Sequence, residues 1–93
     1  MRDPCHGDVI AAARALLALP ANMRQIALFN MMHEANVAYA HACRGLGPHP
    51  HWGDGSLMSA ALRRRVLPEP PLVHRDYLTC LALVYSTLSA QPD

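Results

Sequence analysis

The sequence predicts an all-α fold: a small bundle of about four helices with a Gly/Pro-rich loop between helices two and three. Three observations predict it. Apolar residues recur at helical spacing in four separate stretches. No segment alternates with period two for long enough to form a strand. Proline and glycine stand between the periodic stretches, where they end helices. Ninety-three residues make one domain, 1–93, able to bury roughly 60–65% of the extended chain's surface.

Helix one is expected over about 8–19. Asp8 follows Gly7 and can cap the free amides of the first turn, and Pro20 stops the helix. Val9, Ile10, Ala13, Leu16 and Leu17 share one face. The opposite face, Ala11, Ala15 and Ala18 with Arg14 as its one charge, is smooth enough to admit another helix closely.

Helix two is expected over about 22–44, with Asn22 and Gln25 as a capping box and Gly45 as its C-terminal stop. Leu28, Met32, Ala35, Tyr39, Ala42 and Cys43 form the expected core stripe. Only Pro20 and Ala21 separate helices one and two, which predicts a hairpin or sharp corner.

The loop Gly45–Gly55 holds four glycines, two prolines and the one tryptophan, Trp52. Trp52 is expected to plug the gap where the loop crosses the helices, with its indole N–H bonded. Helix three, about 56–64, is capped by Asp54 or Ser56 and buries Leu57, Met58, Ala61 and Leu62. Arg63, Arg64 and Arg65 follow at its C-terminal end, where positive charge suits the helix dipole. Pro68, Pro70 and Pro71 keep Val66–Val73 extended.

Helix four, about 75–90, places Asp76 in its first turn. Tyr77, Leu78, Leu81, Val84, Tyr85 and Leu88 form one wide face; Thr79, Ala82, Leu83, Ser86 and Ser89 lie on the far side. From Tyr77 to Pro92 there is no charged residue. A terminal helix of a small domain normally shows charge to water, so this one is expected to be covered on both sides, by its own domain and by a neighbour.

Hydrophobic residues make up 52% of the chain and charged residues 16%, and every basic residue is arginine. The absence of lysine excludes a Walker-type phosphate loop, a Schiff-base lysine and a lysine general base. A net charge of +1 excludes a globally basic nucleic-acid binder and leaves room for a local patch. Met1–Gly7 carries no apolar run of signal-peptide length, and no stretch approaches the ~18 apolar residues of a membrane span. Cys5, Cys43 and Cys80 are too few and too scattered for a disulfide framework. The expectation is a cytoplasmic protein with reduced thiols and no membrane contact.

Three constellations invite chemistry. His41, Cys43, His49 and His51 are potential zinc ligands, but residues two apart on a helix point about 200° apart around its axis, so no metal is assigned. Ser56, Asp54 and His51 could be drawn as a triad, yet no nucleophile-elbow spacing accompanies them; no catalytic residue, enzyme activity or cofactor is expected. Arg63, Arg64, Arg65 and Arg75 are the one basic cluster. Four such contacts would bind DNA weakly and without sequence preference.

The phrases Gly7–Leu17 (GDVIAAARALL), His49–Met58 (HPHWGDGSLM) and Tyr77–Ala82 (YLTCLA) together resemble the small terminase proteins encoded with bacterial gene transfer agents, across nearly the whole chain. That resemblance implies a helical ring-forming homo-oligomer that binds double-stranded DNA for packaging and recruits a large terminase, the motor that hydrolyses ATP and cuts DNA. One departure stands out. Many small terminases carry an N-terminal helix-turn-helix, whereas helices one and two here hold only Arg14, Arg24 and Arg44. A missing reader suits packaging without sequence preference.

The leading expectation is therefore a DNA-packaging adaptor. Arg63, Arg64, Arg65 and Arg75 contact DNA. Ala11, Ala15, Ala18, Thr79, Leu83 and Ser86 form the oligomer or partner interface. The alternatives are a helical protein–protein interaction or regulatory module without nucleic acid and, after it, a small metal-binding protein using the histidine loop.

Overall fold

A computed structural model describes residues 1–92. Four α-helices appear in it: α1 (His6–Leu17), α2 (Arg24–His41), α3 (Leu57–Ala61) and α4 (Arg75–Ser89). No strand occurs among the described residues; the one β-bridge joins His49 to Gly53. The expected all-α bundle is the observed fold.

Helix α1 is the centre of the bundle, packed by α2, α3 and α4. Its small side chains explain the position, because alanine lets helix axes approach closely. Ala12, Ala13 and Leu16 are fully buried. Ala11 and Ala15 are only 4% and 2% exposed, so the alanine face expected to receive a neighbour is filled by the chain itself. The segment after α3 is tied to this helix: Arg14 donates through Nε to the Leu67 carbonyl at 2.7 Å, and the Leu67 amide returns a bond to the Arg14 carbonyl at 3.3 Å. Ala18, half-buried, lines a cleft of about 210 Å³ with Ala15, Leu19, Arg64 and Arg65.

The N-terminus of α1 departs from expectation. The helix begins at His6, and Asp8 is its third residue rather than its cap. From there the Asp8 carboxylate accepts the Cys5 amide at 2.7 Å and the Met58 amide at 2.8 Å. One buried side chain thus closes the first turn of α1 and fastens α3 to it.

Helix α2 starts later than expected. A 3-10 turn, Ala21–Met23, makes the corner after Pro20, and no side chain caps the helix. The Asn22–Gln25 box does not form; Gln25 reaches instead to the Thr87 hydroxyl at 3.4 Å. The buried stripe runs Arg24, Leu28, Met31, Met32, Ala35 and Ala38. Tyr39 and Cys43, expected in that stripe, are exposed. The loop, not a helix, meets the backbone of α2 at Tyr39. Gly55, at φ +91°, passes so close that a Cβ there would sit 2.7 Å from the Tyr39 Cα. Helix α2 ends in a widened turn, Ala42–Leu46, with Gly45 at φ +78°, as left-handed helix stops require.

Helix α3 is short, with Ser56 as its cap: the Ser56 hydroxyl accepts the Ser59 amide at 3.1 Å. Arg63, Arg64 and Arg65 lie beyond its end, and Leu62 is 51% exposed. Helix α4 is capped by His74, whose Nδ1 accepts the Tyr77 amide at 3.2 Å. Tyr77, Cys80, Val84 and Thr87 are its buried stripe. Leu78 and Tyr85, expected on one wide face with Tyr77 and Val84, are 42% and 44% exposed. No helix among the described residues is long and apolar enough to cross a membrane.

Candidate functional site

The outer face of α4 is the most unusual surface of the molecule. Leu78, Thr79, Ala82, Tyr85, Ser86 and Ser89 are exposed on it, and none carries charge. Its hydroxyls are also internally bonded. Thr79 donates to the Arg75 carbonyl at 3.0 Å, Ser86 to the Leu83 carbonyl at 3.2 Å and Ser89 to the Tyr85 carbonyl at 2.8 Å. A Ser or Thr that donates back into its own helix turns its hydrogen away from solvent. Three polar residues on this face therefore present little hydrogen-bonding demand. Of the expected interface residues on α4, Thr79 and Ser86 lie on this surface; Leu83 is half-buried and packs against the core.

The arginine cluster divides. Arg64 grips Glu34 of α2 through two bonds, 2.9 and 2.6 Å, and donates to the Ala60 carbonyl at 2.9 Å. It closes the end of α3 and ties that helix to α2, so its guanidinium is already engaged by a carboxylate. Arg63, Arg65 and Arg75 are exposed, and none of them forms an ion pair among the described residues. Arginines with free forks are well matched to phosphate.

The loop histidines do not assemble as a metal site: among the described residues no group of three or more His, Cys, Asp or Glu is placed to hold an ion. His41 and His49 meet edge to face at 5.1 Å, and Trp52 stacks on His49 at 5.0 Å. Trp52 is half-buried on that ring rather than plugged between helices. The drawn triad is not assembled either. The Ser56 hydroxyl donates to Asp54 at 2.7 Å while capping α3, and the His51 amide is bonded to His49. The Ser56 hydroxyl and amide hold the Asp54 carboxyl below the usual range, against a smaller effect of burial.

A groove of about 480 Å³ went unread in the sequence. Ile10, Leu81 and the Pro70–Leu72 strap line it, with His6, Glu69, Tyr77 and Tyr85 as its polar groups. The Tyr77 hydroxyl donates to Glu69 at 2.7 Å; burial, then that carboxylate, push the Tyr77 phenol up to about 12. The one available signal was the proline run, which holds a strap off the helices without filling the space beneath it.

A model of the family described as Domain of unknown function (DUF7742) matches residues 2–88. The chain belongs to the DUF7742 family. The match spans α1 to α3 and all of α4 but its last residue, so nearly all of the α4 face, the arginines and the histidine loop are parts of the DUF7742 domain. No curated protein and no solved structure matches this DUF7742 chain.

Proposed function

We propose that the protein is a helical assembly adaptor of the DNA-packaging kind, in which α4 docks onto another subunit or a motor partner. The observation that carries this reading is the uncharged outer face of α4 with its internally bonded hydroxyls. Such a face loses little on leaving water, because few donors or charges must be desolvated. Arg63, Arg65 and Arg75 supply weak, salt-sensitive phosphate contact. The resemblance to small terminases of gene transfer agents supplies the packaging context, including a large terminase as partner. The test is the mass in solution together with DNA mobility shifts at low and high salt. An oligomer whose DNA binding weakens with salt supports the reading; a monomer that binds no DNA overturns it.

A second reading has its own observation. Arg64 is held by Glu34 and Ala60, so the basic cluster is smaller than its sequence suggests. That favours an interaction module that docks α4 and binds no nucleic acid. An oligomer with no mobility shift at low salt selects it.

A further inference from the structure

The turn His49–Gly53 is closed by four hydrogen bonds. Two are backbone bonds between His49 and Gly53, at 2.6 and 3.1 Å. The other two depend on one side-chain atom: the His51 and Trp52 amides donate to His49 Nδ1 at 3.1 and 3.2 Å. An imidazole nitrogen accepts only while it carries no proton. The turn therefore needs neutral His49 with its hydrogen on Nε2.

The surroundings of the ring oppose a positive charge. His41 approaches from the end of α2 at 5.1 Å, and the His51 ring lies 5.9 Å away. Arg63, from the segment after α3, adds a full charge. These are the titratable and charged groups that face His49, and all are basic. No carboxylate among the described residues is hydrogen-bonded to the ring. Trp52 covers one face, nearly parallel at 11°.

We propose that His49 is an acid-sensitive latch, in which a proton on Nδ1 breaks its bonds to the His51 and Trp52 amides and opens the turn. The next residues set the reach of that opening. Asp54 pairs with Arg2 at 2.9 Å, the Gly55 carbonyl accepts the Arg2 amide at 2.8 Å, and Asp54 and Ser56 together start α3. Opening the turn loosens the anchor of the N-terminal arm, releases the indole from its stack and gathers new positive charge beside Arg63. Burial, His41, His51 and Arg63 lower the His49 pKa from its ordinary 6.5. The sign follows: the unfolded turn takes up a proton first, so the latch is fully closed above 6.5 and is lost as pH falls through the lowered value.

The test uses the full chain, titrated from about pH 8 to about pH 5. Trp52 is the sole tryptophan, so its fluorescence reports the stack, and amide hydrogen exchange reports the two bonds. The expected result is a fluorescence transition with its midpoint below 6.5, accompanied by roughly tenfold or greater loss of protection at the His51 and Trp52 amides. In His49→Asn a side-chain carbonyl can accept the same two amides without titrating, so both signals stay flat. Protection retained by the wild type to the acid limit, or an unchanged transition in His49→Asn, overturns the proposal. If His49→Asn does not fold, ring-nitrogen NMR of the wild type decides. The Nε2–H tautomer with a midpoint below 6.5 upholds the latch; the Nδ1–H tautomer, or a midpoint above 6.5, rejects it.

Discussion

Arg24 holds Asp76 in a two-pronged grip, Nη1 to Oδ1 at 2.7 Å and Nη2 to Oδ2 at 2.9 Å, and so joins the starts of α2 and α4. The same guanidinium turns its Nε to the Leu16 carbonyl in the last turn of α1 at 2.9 Å and to the Leu19 carbonyl just past its end at 3.1 Å. Three helix ends meet on one side chain that is 8% exposed. The Leu16 carbonyl also accepts the Leu19 amide at 2.9 Å, so the guanidinium adds a second donor to the turn that ends α1.

Replacing Arg24 therefore does more than remove a surface ion pair. Arg24→Ala is expected to lower unfolding free energy by about 2–3 kcal/mol in urea melts, below the figure for a fully buried pair because Asp76 is half-exposed. Asp76→Asn leaves the carbonyl bonds in place and should cost less. Equal losses for the two variants would contradict the assigned hub.

The Asp8 bonds predict a second loss. Asp8→Asn can no longer accept from both Cys5 and Met58, and should cost about 1–3 kcal/mol, with faster amide exchange at both residues. Acid should do the same. Burial pushes the Asp8 carboxyl up, but the Cys5 and Met58 bonds and Arg2 outweigh it, and the pKa falls below 3.8. The Arg24 bonds likewise lower the Asp76 pKa. Both groups stabilise the fold above about 3.8, their ordinary value, and that contribution is lost as pH falls through their lowered values. A stability curve flat through this acid range would count against both assignments.

Glycine substitutions separate conformation from space. Gly45→Ala meets nothing within 4 Å and faces only its positive φ, a cost of about 1–2 kcal/mol. Gly55→Ala adds a collision with the Tyr39 backbone and is expected to cost more, about 3 kcal/mol or above. Thermal melts that rank them the other way would refute the close approach of loop to α2.

The arginines give a test of the phosphate role that stability does not confound. The triple variant Arg63→Ala, Arg65→Ala, Arg75→Ala should keep its melting temperature and lose DNA affinity, with a salt slope shallower by up to three contacts. Arg64→Ala should instead loosen α3 from α2 and lower stability. Loss of DNA affinity in Arg64→Ala alone would reverse the division drawn between these neighbours.

Periodicity located the four helices because their core positions are mostly Ala, Leu and Val at helical spacing. It misplaced the buried face of α2 because Tyr39 and Cys43 look like core residues by type. Gly55, sixteen residues along the chain, meets the Tyr39 backbone instead, and a close backbone approach leaves no mark in hydropathy. Asp8 was legible as a helix-start residue, but neither Asp8 nor Arg24 was legible as a tie between helices, since their partners Met58 and Asp76 are far away in sequence. The alanine face of α1 was read as a docking surface. Small residues admit a helix without saying whose, and at Ala11 and Ala15 the chain itself fills that place. The uncharged run on α4 was legible directly, because missing charge is a property of sequence alone, whereas the hydroxyl bonds that complete its apolar character exist only once the helix has formed.

The central claim is that this face of α4 is an interface. The direct measurement is molar mass by light scattering at micromolar concentration, for the wild type and for Ala82→Glu with Ser86→Glu, two exposed positions on that face. The account predicts a wild-type mass that is a multiple of the single chain, and a folded monomer for the double variant, because two buried carboxylates without partners are strongly unfavourable. A monomeric wild type, or an oligomer that survives both charges, would contradict it.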